Sequence, residues 1–219
     1  NTSVERLIAL STDKAVNPIN LYGATKLVSD KLFIAANNLV GDRKLKFSIV
    51  RYGNVLSSRG SFVPLLKNLS KDKKSIIPIT HKNMTRFWIT LDESVDLVES
   101  ALIIMKGGEI FIPKLPSVKI TDLPKVICPE NKIKFTGLRP GEKIHEILCP
   151  LESSHETIEF KNYFIIKPTI KIRNRNINYI NYPNENGRKV EENFEYSSGT
   201  NKKVLNLKQI KSSLERFND

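Results

Sequence analysis

Tyr22 and Lys26 are the residues whose types and spacing could do chemistry on a hydroxyl or a ketone. Residues four apart on a helix are neighbours, about 5–6 Å from each other. A lysine ammonium at that distance favours the phenolate form of a tyrosine, which makes the phenol an acid/base group. The spacing alone is weak, because a lysine-rich chain forms Tyr-x-x-x-Lys by chance, and Tyr163 and Lys167 repeat it.

The surroundings separate the two copies. The first follows Asn17-Pro18, a pair that can precede a helix, and opens residues 21–38, whose apolar residues recur at helical spacing. The second lies in residues 157–167, where apolar and aromatic residues crowd as they do in strands. A strand would place its two side chains about 13 Å apart, too far for direct proton transfer. We therefore expect only the first copy to be catalytic.

A short apolar run, Arg6 to Leu10, predicts a buried parallel strand that ends at the polar residues 11–14. Polar residues just past the carboxyl end of such a strand lie where open α/β sheets bind ligands. The tyrosine helix follows at once. This order of strand, polar turn and helix resembles the extended short-chain dehydrogenase/reductase family, in which Ser or Thr, Tyr and Lys surround a nicotinamide.

The triplet Thr12-Asp13-Lys14 narrows the resemblance. It is similar to the triplet of the inverting UDP-N-acetylglucosamine 4,6-dehydratases of the pseudaminic-acid and capsule pathways, whereas retaining dehydratases have Thr-Asp-Glu there. Tyr22 resembles the small soluble type, because the large membrane-anchored relatives usually have Met at that position. The resemblance implies NADP as cofactor, bound by Tyr22 and Lys26, a UDP-sugar as substrate, and a homo-oligomer in the full-length enzyme.

The resemblance also implies a role for each catalytic residue. Tyr22, grouped with Thr12 and Lys26, would take the proton of the hydroxyl at sugar carbon 4 while the cofactor accepts hydride from that carbon. Lys14 would then remove the hydrogen at carbon 5, and Asp13 would protonate the hydroxyl that leaves carbon 6. Lys14 and Tyr22 would therefore also contact the substrate. A UDP-sugar 4-epimerase of the same fold, which needs neither Asp13 nor Lys14, and a non-catalytic nucleotide-binding relative remain alternatives.

Later motifs follow the order of the family. The glycine-bracketed loop of residues 52–64 comes after a second predicted strand, and Asn54 in it would contact the nucleotide sugar. Arg86 and Arg139 would bind the diphosphate of UDP, because a guanidinium can donate two parallel hydrogen bonds. Glu142 would lie near the nucleotide.

The glycines nowhere form G-x-x-G-x-x-G or G-x-G-x-x-G, the phosphate-binding turn that opens a dinucleotide fold. We therefore interpret the chain as the carboxyl-terminal two-thirds of an enzyme that lacks roughly 100–130 residues of its cofactor half and is inactive alone. The predicted fold class is α/β, the carboxyl-terminal part of a doubly wound Rossmann-type parallel sheet plus a smaller mixed α/β substrate domain.

Three regions are predicted within this fold. Residues 1–63 would complete the dinucleotide-binding domain, and residues 64–168 would mainly bind the nucleotide sugar while interleaving with the first domain. Residues 169–219 would form a polar loop or disordered segment with a terminal helix, because they are rich in Asn and lack sustained periodicity before residue 204.

Composition excludes several other classes. The net charge is +12, but the basic residues are scattered without aromatic interleaving, so we expect a surface that suits an anionic nucleotide sugar and no nucleic-acid partner. No stretch approaches the roughly 18 apolar residues of a membrane span, and no basic start followed by an apolar h-region appears, so we expect a cytoplasmic protein without a membrane partner. Cys128 and Cys149 are predicted to be reduced thiols. His81 and His155 have no metal-ligand pattern, and His145 would orient the turn after Arg139, so no metal site is predicted.

Overall fold

The computed structural model describes residues 3–41, 43–56, 58, 61–172, 176–183 and 185–215. Ser57, Arg59 and Gly60 of the predicted substrate loop, and Phe217 of the predicted final helix, lie outside these residues. The chain divides into two compact units. Unit 1 comprises Asn1–Tyr52, Asp92–Lys114 and Ile147–Tyr196, and unit 2 comprises Gly53–Leu91, Leu115–Glu146 and Ser197–Asp219.

The described residues form strands of two to seven residues and α-helices of six to sixteen residues. The strands are β1 (Arg6–Thr12), β2 (Lys46–Tyr52), β3 (Ile77–Ile79), β4 (Thr85–Phe87), β5 (Ile110–Pro113), β6 (Ser117–Lys119), β7 (Ile133–Phe135), β8 (Ile147–Cys149), β9 (Thr157–Glu159), β10 (Tyr163–Ile166), β11 (Asn181–Tyr182), β12 (Glu185–Asn186), β13 (Arg188–Lys189) and β14 (Tyr196–Ser197). The helices are α1 (Leu21–Ala36), α2 (Phe62–Leu69), α3 (Leu91–Ile104), α4 (Asp122–Ile127) and α5 (Leu207–Glu215), and 3-10 turns occur at Asp13–Ala15 and Leu151–Glu156.

The sheet of unit 1 has the strand order β1-β2-β5-β10-β9-β13. β1 and β2 pair in parallel over their whole lengths, and β2 pairs in parallel with β5. β10 is antiparallel to both β5 and β9. The central strands β2 and β5 are buried on both faces along most of their lengths, as is typical of parallel strands, and Ile49 and Val50 are fully buried.

Helices cover both faces of this sheet. Successive side chains of a strand point to opposite faces. Arg51 of β2 donates a hydrogen bond to Asp30 of α1, whereas its neighbour Val50 shares an apolar cluster with Ala101 of α3. Helices α1 and α3 therefore lie on opposite faces, which is the doubly wound arrangement, and the predicted fold class is confirmed.

Unit 2 is the smaller mixed α/β unit. In it β3 pairs in parallel with β7, and β4 pairs antiparallel with β6. Its core collects residues from α2, α4 and α5 as well as from the strands, among them Leu66, Ile77, Trp88, Leu123 and Ile210. The final helix α5 belongs to this core, and Trp88 Nε1 donates to Ser213 Oγ at 2.9 Å.

The predicted domain boundaries differ from the units that the structure shows. The regions predicted as residues 64–168 and 169–219 are divided differently, because residues 92–114 and 147–196 belong to unit 1. They supply β5, β9, β10 and β13, which extend the sheet that begins with β1.

Among the described residues, no helix combines the length and apolar character needed to cross a bilayer.

The polar segment of residues 171–199 contains buried contacts that its sequence did not indicate. Tyr179 Oη donates to the Gly107 carbonyl at 2.6 Å, and Tyr182 Oη donates to Glu109 Oε1 at 3.2 Å. Glu109 is fully buried and also accepts from Ser48 Oγ at 2.9 Å. Burial, together with the nearby Glu109 charge, raises the pKa of Tyr182. Two buried tyrosines therefore attach a segment predicted as loop or disorder to unit 1.

Candidate active site

The turn after β1 brings a hydroxyl, a carboxylate and an ammonium together. Thr12 Oγ1 donates to Asp13 Oδ1 at 2.9 Å and accepts from the Lys14 backbone N–H at 3.3 Å. Lys14 Nζ donates to the same Asp13 Oδ1 at 3.0 Å. The predicted triplet is therefore one connected group, because two donors converge on a single carboxylate oxygen.

This group is unusual because its carboxylate is buried. The Asp13 side chain is fully buried, whereas about a third of the Lys14 side chain is exposed, at 32%. Asp13 Oδ2 is buried and has no hydrogen-bond partner among the described residues. Removing an ionised carboxylate from water is costly unless it is paired, so the Lys14 ammonium and the Thr12 hydroxyl stabilise Asp13.

Helix α1 presents the predicted tyrosine and lysine. Its N-cap residue Asn20 accepts a hydrogen bond from Gly23 N at 2.8 Å, which begins the helix directly before Tyr22. Tyr22 is 56% exposed in the first turn. Lys26 lies one turn later, and its Nζ donates to the Leu10 carbonyl at 2.7 Å. The ammonium is thus fixed between α1 and the end of β1.

Gly23 allows α1 to approach the Asp13–Ala15 turn. A Cβ atom at position 23 would lie 2.2 Å from the Lys14 carbonyl oxygen and 3.0 Å from Pro18 Cβ. Real Cβ atoms do not approach a backbone oxygen so closely, so any side chain here would force the helix or the turn to move. A glycine between Tyr22 and Lys26 therefore sets the separation of the helix from Lys14.

The second Tyr-x-x-x-Lys copy has the opposite setting. Tyr163 begins β10 and stacks on Phe160 with ring centroids 4.8 Å apart. Burial, and then the charge of Glu185, raise its pKa to about 12. Lys167 follows the strand and pairs with Glu156 at 2.6 Å. Tyr163 therefore lies on a strand as predicted, and Lys167 lies just beyond its end.

The residues predicted to bind the nucleotide sugar, Asn54, Arg86, Arg139 and Glu142, all belong to unit 2. Arg86 lies in β4 and donates to the carbonyls of Thr85, Lys143 and Ile144 at 2.7–3.1 Å. Its guanidinium is also 4.0 Å from Glu142 and 3.6 Å from Glu146. Arg86 therefore holds the turn of residues 142–146 against β4.

Arg139 and Asn54 are the exposed members of this group. Arg139 N donates to Glu142 Oε2 at 3.2 Å, and Glu142 N donates to the Arg139 carbonyl at 3.1 Å, so the two residues close one turn. Asn54 and Arg86 line a cavity of about 40 Å³, with Phe62, Trp88 and Val118 among its apolar walls. Three of the four residues thus meet through the 139–146 turn, and the fourth shares a cavity with Arg86.

His145 has the orienting position that the sequence predicted for it. Its Nδ1 is 2.8 Å from Thr85 Oγ1, which in turn is 2.8 Å from Ser198 Oγ. Burial, and then the charges of Arg86 and His81, lower the pKa of His145. Ser198 Oγ also accepts from the Glu146 backbone N–H at 2.9 Å. The hydroxyls of Thr85 and Ser198 thus link the 139–146 turn to residues that are distant in the sequence.

Sequence reasoning missed a buried ion pair between helix α1 and strand β2. Arg51 Nη2 donates to Asp30 Oδ2 at 3.0 Å, and the two side chains are only 5% and 4% exposed. Ser11 Oγ donates to the same Oδ2 at 2.8 Å. The available signal was an arginine inside an apolar strand run, because a buried arginine requires a partner.

The doubly wound sheet, the polar turn after β1 and the tyrosine and lysine of α1 define a Rossmann-type short-chain dehydrogenase/reductase fold. The chain belongs to the family described as polysaccharide biosynthesis protein, whose model matches residues 1–168. The match includes every residue predicted above to be catalytic or to bind substrate.

Two curated relatives match almost all of this chain. It is 50% identical over 208 residues to the UDP-N-acetylglucosamine 4,6-dehydratase (inverting) of Campylobacter jejuni subsp. jejuni serotype O:23/36 (strain 81-176), covering 94% of this chain and 62% of that protein. It is 40% identical over 215 residues to the UDP-glucose 4-epimerase of Rickettsia bellii (strain OSU 85-389), covering 96% of this chain and 61% of that protein. The chain thus spans about three-fifths of the length of these relatives.

Among solved structures, the X-ray structure of Pen from Bacillus thuringiensis matches with a TM-score of 0.81 and 30% sequence identity. The match covers 98% of this chain and 62% of that one. The backbone of both units therefore has a counterpart in a solved protein.

Proposed function

We propose that the protein catalyses the NADP-dependent 4,6-dehydration of UDP-N-acetylglucosamine with inversion at carbon 5. The product would be UDP-2-acetamido-2,6-dideoxy-β-L-arabino-hex-4-ulose, a precursor for surface glycans or pseudaminic-acid type sugars. The main observation behind the proposal is the 3.0 Å contact between Lys14 Nζ and Asp13 Oδ1, in the turn that precedes the helix of Tyr22 and Lys26. The 50% identity to an inverting dehydratase supports the same reaction.

NADP would accept a hydride from carbon 4 and later return it to carbon 6. Tyr22 and Lys26 are the residues of this chain that would hold it, since Tyr22 is exposed beside the carboxyl end of β1, where open α/β sheets bind ligands. Tyr22 Oη takes the proton of the carbon 4 hydroxyl, and Lys26 stabilises the phenolate. The ketone formed at carbon 4 acidifies the hydrogen at carbon 5.

Lys14 and Asp13 then perform the elimination as a pair. Transfer of one proton from Lys14 Nζ to Asp13 Oδ1 across their 3.0 Å contact gives a neutral amine and a carboxylic acid. The amine takes the proton from carbon 5, the C–H electrons form the carbon 5–carbon 6 double bond, and the acid protonates the hydroxyl that leaves carbon 6 as water. Both side chains finish in their starting charge states. A proton that has exchanged with solvent would then reach carbon 5 from the face opposite to Lys14 and give the inverted configuration.

Unit 2 would supply the contacts to the nucleotide sugar. Arg139 is exposed in the 139–146 turn and would bind the diphosphate together with Arg86, whose carbonyl contacts fix that turn. Glu142 would lie beside the nucleotide, and Asn54 would contact the sugar. The basic surface expected from the +12 net charge favours a ligand with two phosphates.

The stereochemical outcome tests the proposal directly. UDP-N-acetylglucosamine is incubated with the full-length protein in D₂O, and proton NMR of the fresh product is recorded. We expect deuterium at carbon 5 and coupling constants of the L-arabino configuration. Retained configuration would indicate a retaining dehydratase and contradict the proposal.

A UDP-sugar 4-epimerase is the second candidate, favoured by the 40% identity to a protein with that name. An epimerase needs neither Asp13 nor Lys14, so Lys14→Ala separates the two functions. For a dehydratase, Lys14→Ala retains reduction of the cofactor in a single turnover but forms no dehydrated product. Recovery of UDP-N-acetylgalactosamine by wild type and Lys14→Ala alike would assign the epimerase instead.

A further inference from the structure

Helix α1 contacts the end of β1 at two successive residues. Tyr22, Lys26 and Asp30 are spaced by four and therefore lie on one side of the helix. Lys26 Nζ donates to the Leu10 carbonyl, and Asp30 Oδ2 accepts from Ser11 Oγ at 2.8 Å. Leu10 and Ser11 directly precede the Thr12-Asp13-Lys14 triplet. The contacts thus relate the position of the tyrosine helix to that of the triplet.

Arg51 extends this connection across the sheet. It pairs with Ser11 in the parallel register of β1 and β2, and its Nη2 donates to Asp30 Oδ2 at 3.0 Å. Its Nη1 donates to the Leu148 carbonyl at 3.1 Å. One buried guanidinium therefore joins α1, β2 and β8, while Asp30 joins α1 to β1.

An ion pair in such a buried place is an uncommon way to gain stability. Taking both charges out of water costs about as much as their attraction returns, and apolar residues of similar volume often stabilise a fold equally well. An apolar pair, however, would not fix the direction of α1, because hydrophobic contacts are not directional. Three hydrogen bonds with defined geometry, at 2.8, 3.0 and 3.1 Å, do so.

We propose that Asp30 and Arg51 are positioning residues for the reaction, which set the place of Tyr22 and Lys26 relative to Thr12, Asp13 and Lys14. This inference rests on the proposed function. Neither residue touches the reacting atoms; they act through α1 and β1. Misplacement of a reacting group by about 1 Å can lower a rate about 100-fold, so the pair affects kcat and leaves substrate binding by unit 2 unchanged.

The experiment compares one broken pair with one replaced pair in the full-length protein. Asp30→Leu leaves Arg51 buried without its carboxylate, so we expect the melting temperature to fall by about 10 °C. The double variant Asp30→Leu with Arg51→Met removes both charges, and we expect it to melt within about 3 °C of wild type. We expect the double variant still to show kcat lowered by about 30- to 100-fold, with KM within about twofold of wild type.

Glu159→Gln is the matched control, because it removes the pairing of Lys114 with Glu159 at 2.7 Å in β9 of the same unit. It should leave kcat unchanged. A double variant as stable as wild type with wild-type kcat would show that the pair is only structural and would overturn the inference. A double variant that is as unstable as Asp30→Leu would contradict the argument that apolar residues can replace the ion pair. That outcome would also overturn the inference.

A second measurement does not depend on activity. Hydrogen exchange of the amides in residues 23–26 is compared between wild type and the double variant, with α3 amides as internal reference. Faster exchange confined to the start of α1 supports the inference, and unchanged exchange there opposes it. If wild type forms no dehydrated product, the proposed function fails, while this exchange result still decides whether the pair positions α1.

Discussion

The two Tyr-x-x-x-Lys copies of this chain have the same spacing in sequence and different physical settings. Tyr22 opens a helix and is 56% exposed, and Lys26 reaches back to the end of a parallel strand. Tyr163 opens an antiparallel strand and stacks on Phe160, and Lys167 pairs with a glutamate after the strand has ended. The same spacing therefore places the two side chains in different surroundings, and those surroundings depend on whether the motif begins a helix or a strand.

The residue after each tyrosine shows the same contrast. Gly23 follows Tyr22 and leaves room for the Lys14 carbonyl, so the first copy lies against the polar turn. Phe164 follows Tyr163 and is buried between Phe194 and Tyr196, with ring centroids 5.0 and 5.1 Å away. The first copy therefore lies close to the polar turn after β1, and the second is packed in an aromatic cluster.

The largest difference between the copies should appear when each hydroxyl is removed. Tyr22→Phe should lower the rate of cofactor reduction by about 10³-fold, because it removes the group that takes the carbon 4 proton. Tyr163→Phe should leave that rate within about twofold of wild type. Single-turnover absorbance of the reduced nicotinamide measures both. Equal losses in the two variants would contradict the distinction.

Replacing the two lysines should produce effects that differ less than those of the tyrosine variants. Lys26→Met removes the ammonium that is proposed to stabilise the Tyr22 phenolate and should slow cofactor reduction by about 100-fold. Lys167→Met removes only a partly exposed ion pair with Glu156 and should cost less than about 1 kcal/mol of unfolding free energy. A rate of cofactor reduction in Lys26→Met within about twofold of wild type would oppose the proposed role.

Gly23→Ala tests whether the close approach of α1 matters. The added Cβ would lie 2.2 Å from the Lys14 carbonyl oxygen, so the helix must shift and kcat should fall by about tenfold. Gly41→Ala is the control, because position 41 has a positive φ of 60° and open space around its Cβ. It should cost about 1–2 kcal/mol of stability through backbone strain and leave kcat unchanged. Equal kcat losses in both variants would point to general destabilisation.

The smallest expected effect is a pH dependence in the second copy. Folding raises the pKa of Tyr163 from 10.0 to about 12, so its neutral phenol stabilises the fold fully below about pH 10. This contribution is lost as pH rises from about 10 to 12. Over that range wild type should therefore lose unfolding free energy relative to Tyr163→Phe, which has no phenol to ionise, as measured by denaturant titration. A stability difference that is independent of pH would show that Tyr163 does not titrate in this way.

The parts of the fold that were predictable are those whose local pattern agrees with their tertiary setting. Residues 21–38 were predicted as a helix and form α1 over Leu21–Ala36, because apolar spacing, the preceding turn and an N-cap asparagine all favour it. The triplet at the end of β1 was recognisable because its polar residues follow an apolar strand at once. Thr12, Asp13 and Lys14 do form one hydrogen-bonded group.

The features that could not be predicted depend on contacts between residues far apart in the sequence. No local pattern pairs Arg51 with Asp30, 21 residues earlier, or Tyr182 with Glu109, 73 residues earlier. Arg86 was predicted from its type and family position, but its bonds to the carbonyls of residues 143 and 144 depend on how β4 meets that turn. Long-range hydrogen bonds of buried polar groups are specified by packing, which a single sequence does not display.

The interleaving of the two units has a consequence for how the chain becomes structured during synthesis. Unit 1 needs residues up to Tyr196, and the core of unit 2 needs Ile210 and Leu214 of α5. Unit 1 therefore cannot reach its final packing before residue 196 has left the ribosome, and unit 2 cannot do so before residue 214. Contacts between such distant segments slow folding and prolong the exposure of apolar strands. The protein should therefore depend on chaperones more than one whose two units were each encoded by a continuous stretch of residues.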